Sequence, residues 1–253
     1  MKTTHIATAI ALLAGFAAAP AFAVGSPGTA VDLELSLIVD VSGSVDASEF
    51  DLQKTGYVKA FQDASIQAAI ASGHSVAANL IYWSGANQQQ VAVDWFLITD
   101  ASSANTFASL IDATVRPFSG NTAVGSGINF AVPLFGSNAF IGTRQVIDVS
   151  GDGAANEGAN TAAARDAAAL VGIQINGLPI LGEPGLLSFY TDNVVTAGGF
   201  VQPAASFVDF ERAVTVKVGK EIIGAIPEPS TYAMLGLGLG LVGWMGNRRK
   251  RSA

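Results

Sequence analysis

The chain has 253 residues, half of them apolar, with 28 Gly, 9 Pro and 13% charged residues. That balance excludes disorder, a collagen-like repeat and a coiled coil. Between Val24 and Ile226 there are 8 basic and 19 acidic residues, a net of −11 (8 − 19), which argues against nucleic acid or any other partner held by phosphate contacts. Cysteine is absent and His5 and His74 are the only histidines, so disulfides, thiolate nucleophiles and Cys-ligated zinc are excluded together.

The first segment reads as an address. Lys2, the apolar run Ile6 to Ala19, and Ala21-Phe22-Ala23 form a positive n-region, an h-region and an A-x-A cleavage site. Residues 1–23 are therefore expected to be a signal peptide cut after Ala23, and 24–224 the folded domain.

In the domain, Val31, Leu33, Leu35, Leu37 and Val39 keep period two and merge into the continuous apolar Leu37-Ile38-Val39. This predicts a buried first strand ending at Asp40. Asp46 and Glu49 form a capping-box pattern ahead of Phe50, Tyr57 and Phe61, so one helix is expected from there to the stop at Gly73. Val76 to Trp83 and Val91 to Ile98 read as a hairpin at a sheet edge. Helices are then expected from Asp100 to about Thr114 and from Thr122 to Phe135, the latter kinked or ended near Pro133. Gln145 to Val149 is expected to be a short buried strand. Further on come a helix from Thr161 to Val171, a strand from Ile173 to Leu181, a helix from Leu186 to Val195, a minimal strand at Phe200 to Gln202 and a last helix from Ser206 to Ile223. The alternation predicts a three-layer, doubly wound α/β fold with a mostly parallel sheet and an antiparallel edge strand.

Residues 226–253 form a second address. Pro227-Glu228-Pro229 precedes the 15-residue apolar stretch Tyr232 to Gly246 and the basic cluster Arg248 to Arg251. The stretch is short for a membrane span, and the cluster would stay on the cytoplasmic side. This order of parts resembles the PEP-CTERM sorting signal of Gram-negative bacteria that make exopolysaccharide. The resemblance implies recognition by an exosortase-type enzyme, a transient inner-membrane tail as the sole membrane contact, and delivery to the cell surface or matrix. A plain membrane anchor is the alternative.

In doubly wound sheets ligands bind outside the carboxyl ends of the strands. Three short motifs fall there: Asp40-Val41-Ser42-Gly43-Ser44 after the first strand, Asn121-Thr122 opening a helix, and Ser150-Gly151-Asp152-Gly153 after the buried strand. Together they resemble the metal-ion-dependent adhesion site (MIDAS) of the von Willebrand factor type A (VWA) family. The resemblance assigns Asp40, Ser42 and Ser44 to the first motif, Thr122 to the second and Asp152 to the third. Runs such as Val-Asp-Leu-Glu-Leu and Val-Ile-Asp-Val-Ser-Gly-Asp-Gly further resemble an uncharacterised bacterial VWA-like family, which names a fold and no activity.

An all-oxygen set of this kind suits a hard cation, Mg²⁺ first, with Mn²⁺ or Ca²⁺ as alternatives. Three of its five members are neutral hydroxyls, so the ion would keep enough electrophilicity to take a carboxylate from an acidic protein or polysaccharide partner. Each motif also has a local reading: Asp40 and Ser42 as turn residues, Thr122 as an N-cap, Asp152 as part of a glycine turn. Asp148 is an unusual carboxylate in an apolar strand, either supporting the site or paired with a cation such as Arg144 or Arg165. No G-x-S-x-G elbow, P-loop lysine or carboxylate pair beside Asp40 is present, so a binding module is expected and an enzyme is not. A matrix or assembly component with a vacant or structural metal site is the second expectation.

Overall fold

The period-two run that opens the domain builds the centre of the sheet. In the computed structural model, which describes residues 28–224, β1 (Thr29–Asp40) pairs in parallel with β2 (Val76–Trp83) on one side and with β4 (Phe140–Gly151) on the other. From Leu35 to Asp40 every β1 residue is buried, as a strand covered on both faces requires. β3 (Gln89–Ile98) runs antiparallel on the outer edge of β2, and β5 (Gln174–Pro179) is parallel to β4, giving the order β3-β2-β1-β4-β5. Single parallel bridges at Gly177–Val201 and Ile180–Ala204 extend the sheet beyond β5, where the minimal strand is expected.

One face carries α1 (Ala47–Gln62), α2 (Ala64–Ala71), α3 (Ala101–Asp112) and α7 (Phe210–Ile223), packed on Leu33, Leu35, Leu37, Val39 and Tyr82. The other carries α4 (Val124–Ala131), α5 (Thr161–Leu170) and α6 (Leu186–Phe189), packed on Ile38, Ile81, Trp83, Ile147 and Val149. The expected three-layer α/β arrangement is therefore present, with one antiparallel pair. Among the described residues no helix is long and apolar enough to cross a membrane. The expected cleavage site at Ala21 and Ala23, the Pro227-Glu228-Pro229 motif and the apolar stretch lie outside the described residues.

Three expectations are corrected. The first helix is two: Asp63 takes an extended conformation that ends α1, and its carboxylate accepts from Ser65 N and Ile66 N to start α2. β4 is 12 residues long and begins at Phe140. Gly142 sits in it where a side chain would meet Glu34, whose Oε2 accepts from Gly142 N at 2.8 Å. The expected helix from Thr122 starts instead at Val124 with Ala123 as an uncapped N-cap, and tightens into a 3₁₀ turn at Val132–Gly136, which contains Pro133. At the far end, α7 stops beside the start of β4, where Arg144 Nη2 donates to Glu221 O at 2.8 Å and Ile222 O at 3.2 Å.

Candidate metal site at the carboxyl ends of the strands

The sheet delivers the first motif directly. Asp40 is the last residue of β1, fully buried, and its Oδ1 accepts from Ser42 N at 2.7 Å, folding the chain so that Ser42 and Ser44 follow on one side. Ser42 Oγ lies 3.2 Å from Ser44 Oγ, and Ser44 Oγ donates to Asp152 Oδ1 at 2.7 Å. The first and third motifs therefore meet. Backbone contacts hold the first loop from outside: Gly43 N donates to Gly120 O at 2.7 Å, and Arg116 Nη2 donates to Val41 O at 3.0 Å and Ser42 O at 2.7 Å.

Thr122 arrives on the second loop. It does not cap α4, so the N-cap reading fails. Its backbone is clamped to the third loop instead, with Thr122 N donating to Asn156 Oδ1 at 3.0 Å and Asn156 N donating to Thr122 O at 2.9 Å. Ser84 anchors the same loop by accepting from Gly120 N at 2.7 Å and donating to Asn121 O at 3.1 Å. A Cβ built on Gly153 would lie 3.7 Å from Thr122 Oγ1, which places that hydroxyl over the Asp152 turn. All five residues singled out in the sequence thus come to one end of the sheet.

Their electrostatics are unbalanced. Asp40 Oδ2 is buried with no hydrogen-bond partner, and burial, opposed by the Ser42 hydrogen bonds, pushes its carboxyl up to about 7. Burial also raises Asp152, in spite of its bond from Ser44. An uncompensated carboxylate in the interior costs several kcal/mol. The buried Tyr190 hydroxyl, likewise unpartnered, borders the same spot: a Cβ on Gly151 would sit 2.8 Å from Asp40 Oδ2 and 2.9 Å from Tyr190 Oη. Among the described residues no three His, Cys, Asp or Glu side chains converge as a metal cluster. The set here has two carboxylates and three hydroxyls, a donor mix that fits a hard cation only with water or an outside ligand completing the shell.

The carboxylate of Asp148 is settled by neither suspected arginine. Its Oδ1 lies 2.6 Å from the fully buried Lys217 Nζ of α7, which is also 2.6 Å from Glu221 Oε1. Arg165 pairs with Asp166, and Arg144 holds the end of α7 as described. The Asp46 and Glu49 box is formed in full, with Asp46 N donating to Glu49 Oε2 and Glu49 N to Asp46 Oδ1. Sequence reasoning missed Ser84, Arg116, Asn156, Lys217 and Tyr190. Only Lys217 left a trace, since it continues the buried stripe Phe210, Ala213, Val214 at helical spacing.

With the geometry in view, comparison with known proteins gives the family. The family described as "Protein of unknown function (DUF1194)" matches residues 30–226. The chain belongs to this family. A PEP-CTERM protein-sorting motif matches residues 225–250, which marks an exported protein processed by an exosortase-type enzyme. No curated protein matches the sequence. Among solved structures, this DUF1194 domain is similar to proximal thread matrix protein 1 from the mussel byssus, at 13% identity and a TM-score of 0.60, over 78% of this chain and 50% of that one. The same byssus protein "with zinc occupied MIDAS motif" gives 14%, 0.51, and 76% and 46%. A von Willebrand factor type A protein from Catenulispora acidiphila gives 16%, 0.54, and 76% and 43%. The chain thus spans half or less of the length of these proteins, and at such identities the likeness is one of fold: the DUF1194 domain is VWA-like.

Proposed function

We propose that this chain is an exported, non-catalytic binding module in which Asp40, Ser42, Ser44, Thr122 and Asp152 hold one divalent cation, Mg²⁺ foremost, that takes a carboxylate from an acidic protein or polysaccharide at the cell surface or in the matrix. The observation that carries the reading is Asp40 Oδ2: a fully buried carboxylate oxygen without a partner, on the residue that opens the loop whose two hydroxyls link to a second carboxylate, Asp152. A cation there would supply the missing charge compensation, and Mn²⁺ or Ca²⁺ would fit the same oxygen donors. That a byssus matrix protein of the same fold has been solved with zinc in its MIDAS supports a divalent ion at this position. The sorting motif supports delivery outside the cell.

The hydroxyls and carboxylates of the set bond to one another, as the oxygen shell of an ion would, and this favours a binding role. The test is thermal unfolding of the purified chain in chelator, Mg²⁺, Mn²⁺ and Ca²⁺, beside Asp40→Ala. An ion at about 100 times its Kd should stabilise the fold by about 2.7 kcal/mol, and the variant should lose that response. Equal melting of the native chain in chelator and in all three metals would move the reading to a matrix component whose site is purely structural.

A further inference from the structure

We infer that the concavity between the β3 edge and the 3₁₀ turn after α4 is a second binding site, for a neutral sugar ring, floored by Asn79 and walled by Trp95. It does not depend on the cation site. Asn79 pairs in register with Ser36, four residues before Asp40, roughly 13 Å down the sheet from the carboxyl ends.

The local chain geometry is made for exposure of these two side chains to one another. Along β2 and β3 the ladder runs Ala78 to Phe96 and then Leu80 to Val93, so Asn79 is opposed by both Asp94 and Trp95 in a β-bulge. Bulges at sheet edges re-aim side chains and accompany functional sites. Here the result is a polar floor with nothing to bind. Asn79 is fully buried, yet neither its Nδ2 nor its Oδ1 has a hydrogen-bond partner, and the Trp95 Nε1 is unpartnered as well. Asn79 and Trp95 line a concavity of about 390 Å³ together with Asp94, Leu134, Ser137 and Phe140.

Asn79, whose register neighbour Ser36 is likewise buried with an unpartnered hydroxyl, leaves both donor and acceptor unsatisfied, at a cost on the order of 1–3 kcal/mol per group. A well-packed Leu or Val would avoid that cost, so the amide is unexplained by folding alone. The chemistry of the walls narrows the ligand. No Lys, Arg or His lines the concavity, and Asp94 at its rim is a carboxylate, so anions are disfavoured. Trp95 packs edge-on against Phe135 at 5.2 Å, which fixes the indole as a rigid wall with a negative π-face suited to polarised C–H groups. Asn79 gives one acceptor and two donors, Trp95 one donor and Asp94 acceptors. Hydroxyl groups, which donate and accept at once, answer such a mixture better than a single peptide amide does. The volume suits one small polar molecule with apolar faces, which is the description of a pyranose.

The test uses the full chain with D-glucose, D-galactose, D-mannose and N-acetyl-D-glucosamine, read by saturation-transfer NMR and by the indole Nε1 proton resonance of Trp95. At least one sugar should bind with a Kd of about 1–10 mM. Asn79→Leu should weaken it about tenfold or more while melting at or above the native temperature, since an apolar side chain replaces an unsatisfied amide. Trp95→Phe, which keeps a ring and removes the N–H, should weaken it about fivefold and serves should Asn79→Leu fail to fold. Chelator and Asp40→Ala should leave sugar binding unchanged, which separates this site from the cation site. Absence of binding by all four sugars at about 50 mM would overturn the inference, leaving Asn79 to buried water. Binding that survives either variant undiminished would do the same. So would binding of N-acetylglycine methylamide in place of any sugar, which would make the concavity a peptide site.

Discussion

Ser44 donates its hydroxyl proton to Asp152 Oδ1 at 2.7 Å across 108 positions of sequence, and this bond joins the loop after β1 to the loop after β4. Both partners belong to the proposed cation shell, so the bond has two separable consequences. Ser44→Ala should cost about 0.5–1.5 kcal/mol in chelator, the ordinary worth of one hydrogen bond. In saturating Mg²⁺ the deficit should grow, because a ligand is lost as well. Paired melting curves decide it; an identical deficit in both conditions would exclude the Ser44 hydroxyl from the ion's shell.

Gly151 is predicted to be intolerant of a side chain for a reason specific to the site. A methyl group there would stand 2.8 Å from Asp40 Oδ2 and 3.0 Å from Asp40 Cβ, so Gly151→Ala should displace the Asp40 carboxylate and cost about 1–3 kcal/mol. Its Mg²⁺ response should fall by more than its stability. Gly219→Ala makes the contrast: a Cβ on that α7 residue meets only Ile66 Cγ1, at 3.8 Å, and the change should stabilise by about 0.5–1 kcal/mol. Calorimetry of the two variants with and without Mg²⁺ checks both.

The buried ion cluster makes a prediction about α7. Lys217 is flanked by Asp148 and Glu221 at 2.6 Å each. Lys217→Met alone leaves two carboxylates facing one another in the interior and should cost about 3–5 kcal/mol. The triple change Lys217→Met, Asp148→Leu, Glu221→Leu should recover most of that loss. Denaturant midpoints measure the recovery, and a triple variant no better than the single one would show that the charges supply more than their mutual compensation.

Glu221 sets a pH dependence. Burial first, and the Asp148 charge second, push its carboxyl up to about 7 from an ordinary 4.5, despite Lys217 and the bond from Asn176 Nδ2. The folded chain then holds a proton that the unfolded chain has released. By linkage, stability from this group is greatest below about pH 4.5 and is lost as the pH rises toward 7. Glu221→Gln should flatten that part of the stability profile. Unfolding in urea between pH 4 and 8 tests it, and a steep fall persisting in the variant would assign the slope to another group.

The parts legible in the sequence were those fixed by neighbours. Asp46 with Glu49 and Asp100 at the head of α3 cap their helices within three residues, so their patterns suffice. Asp40, Ser42, Ser44 and Asp152 could be placed together because they end or follow strands, and a doubly wound sheet gathers such positions at one end. Thr122, in the loop between two helices, was placed there by the family resemblance. The start of β4 could not be read: Gly142 and Arg144 look like loop, yet Gly142 is held by the Glu34 carboxylate, a contact spanning 108 positions. The same holds for Asn156 and Arg116, whose roles are clamps on distant backbone atoms. Asp63 hid in a helical pattern because the break it makes costs only one turn. The bulge opposite Asn79 had no signal at all, since a register slip leaves the apolar alternation of β3 nearly intact.

The run of the chain also gives the domain a direction. β1 enters at Thr29 beside Phe140 and Ala139, and α7 leaves at Gly224 beside Arg144, whose partner in β1 is Leu33. Entry and exit share one pole, and Asp40 stands at the other, seven residues further along β1 than Leu33, or roughly 23 Å. Were the chain held through the sequence beyond Gly224, the Asp40 loop would stand at the pole opposite the point of attachment.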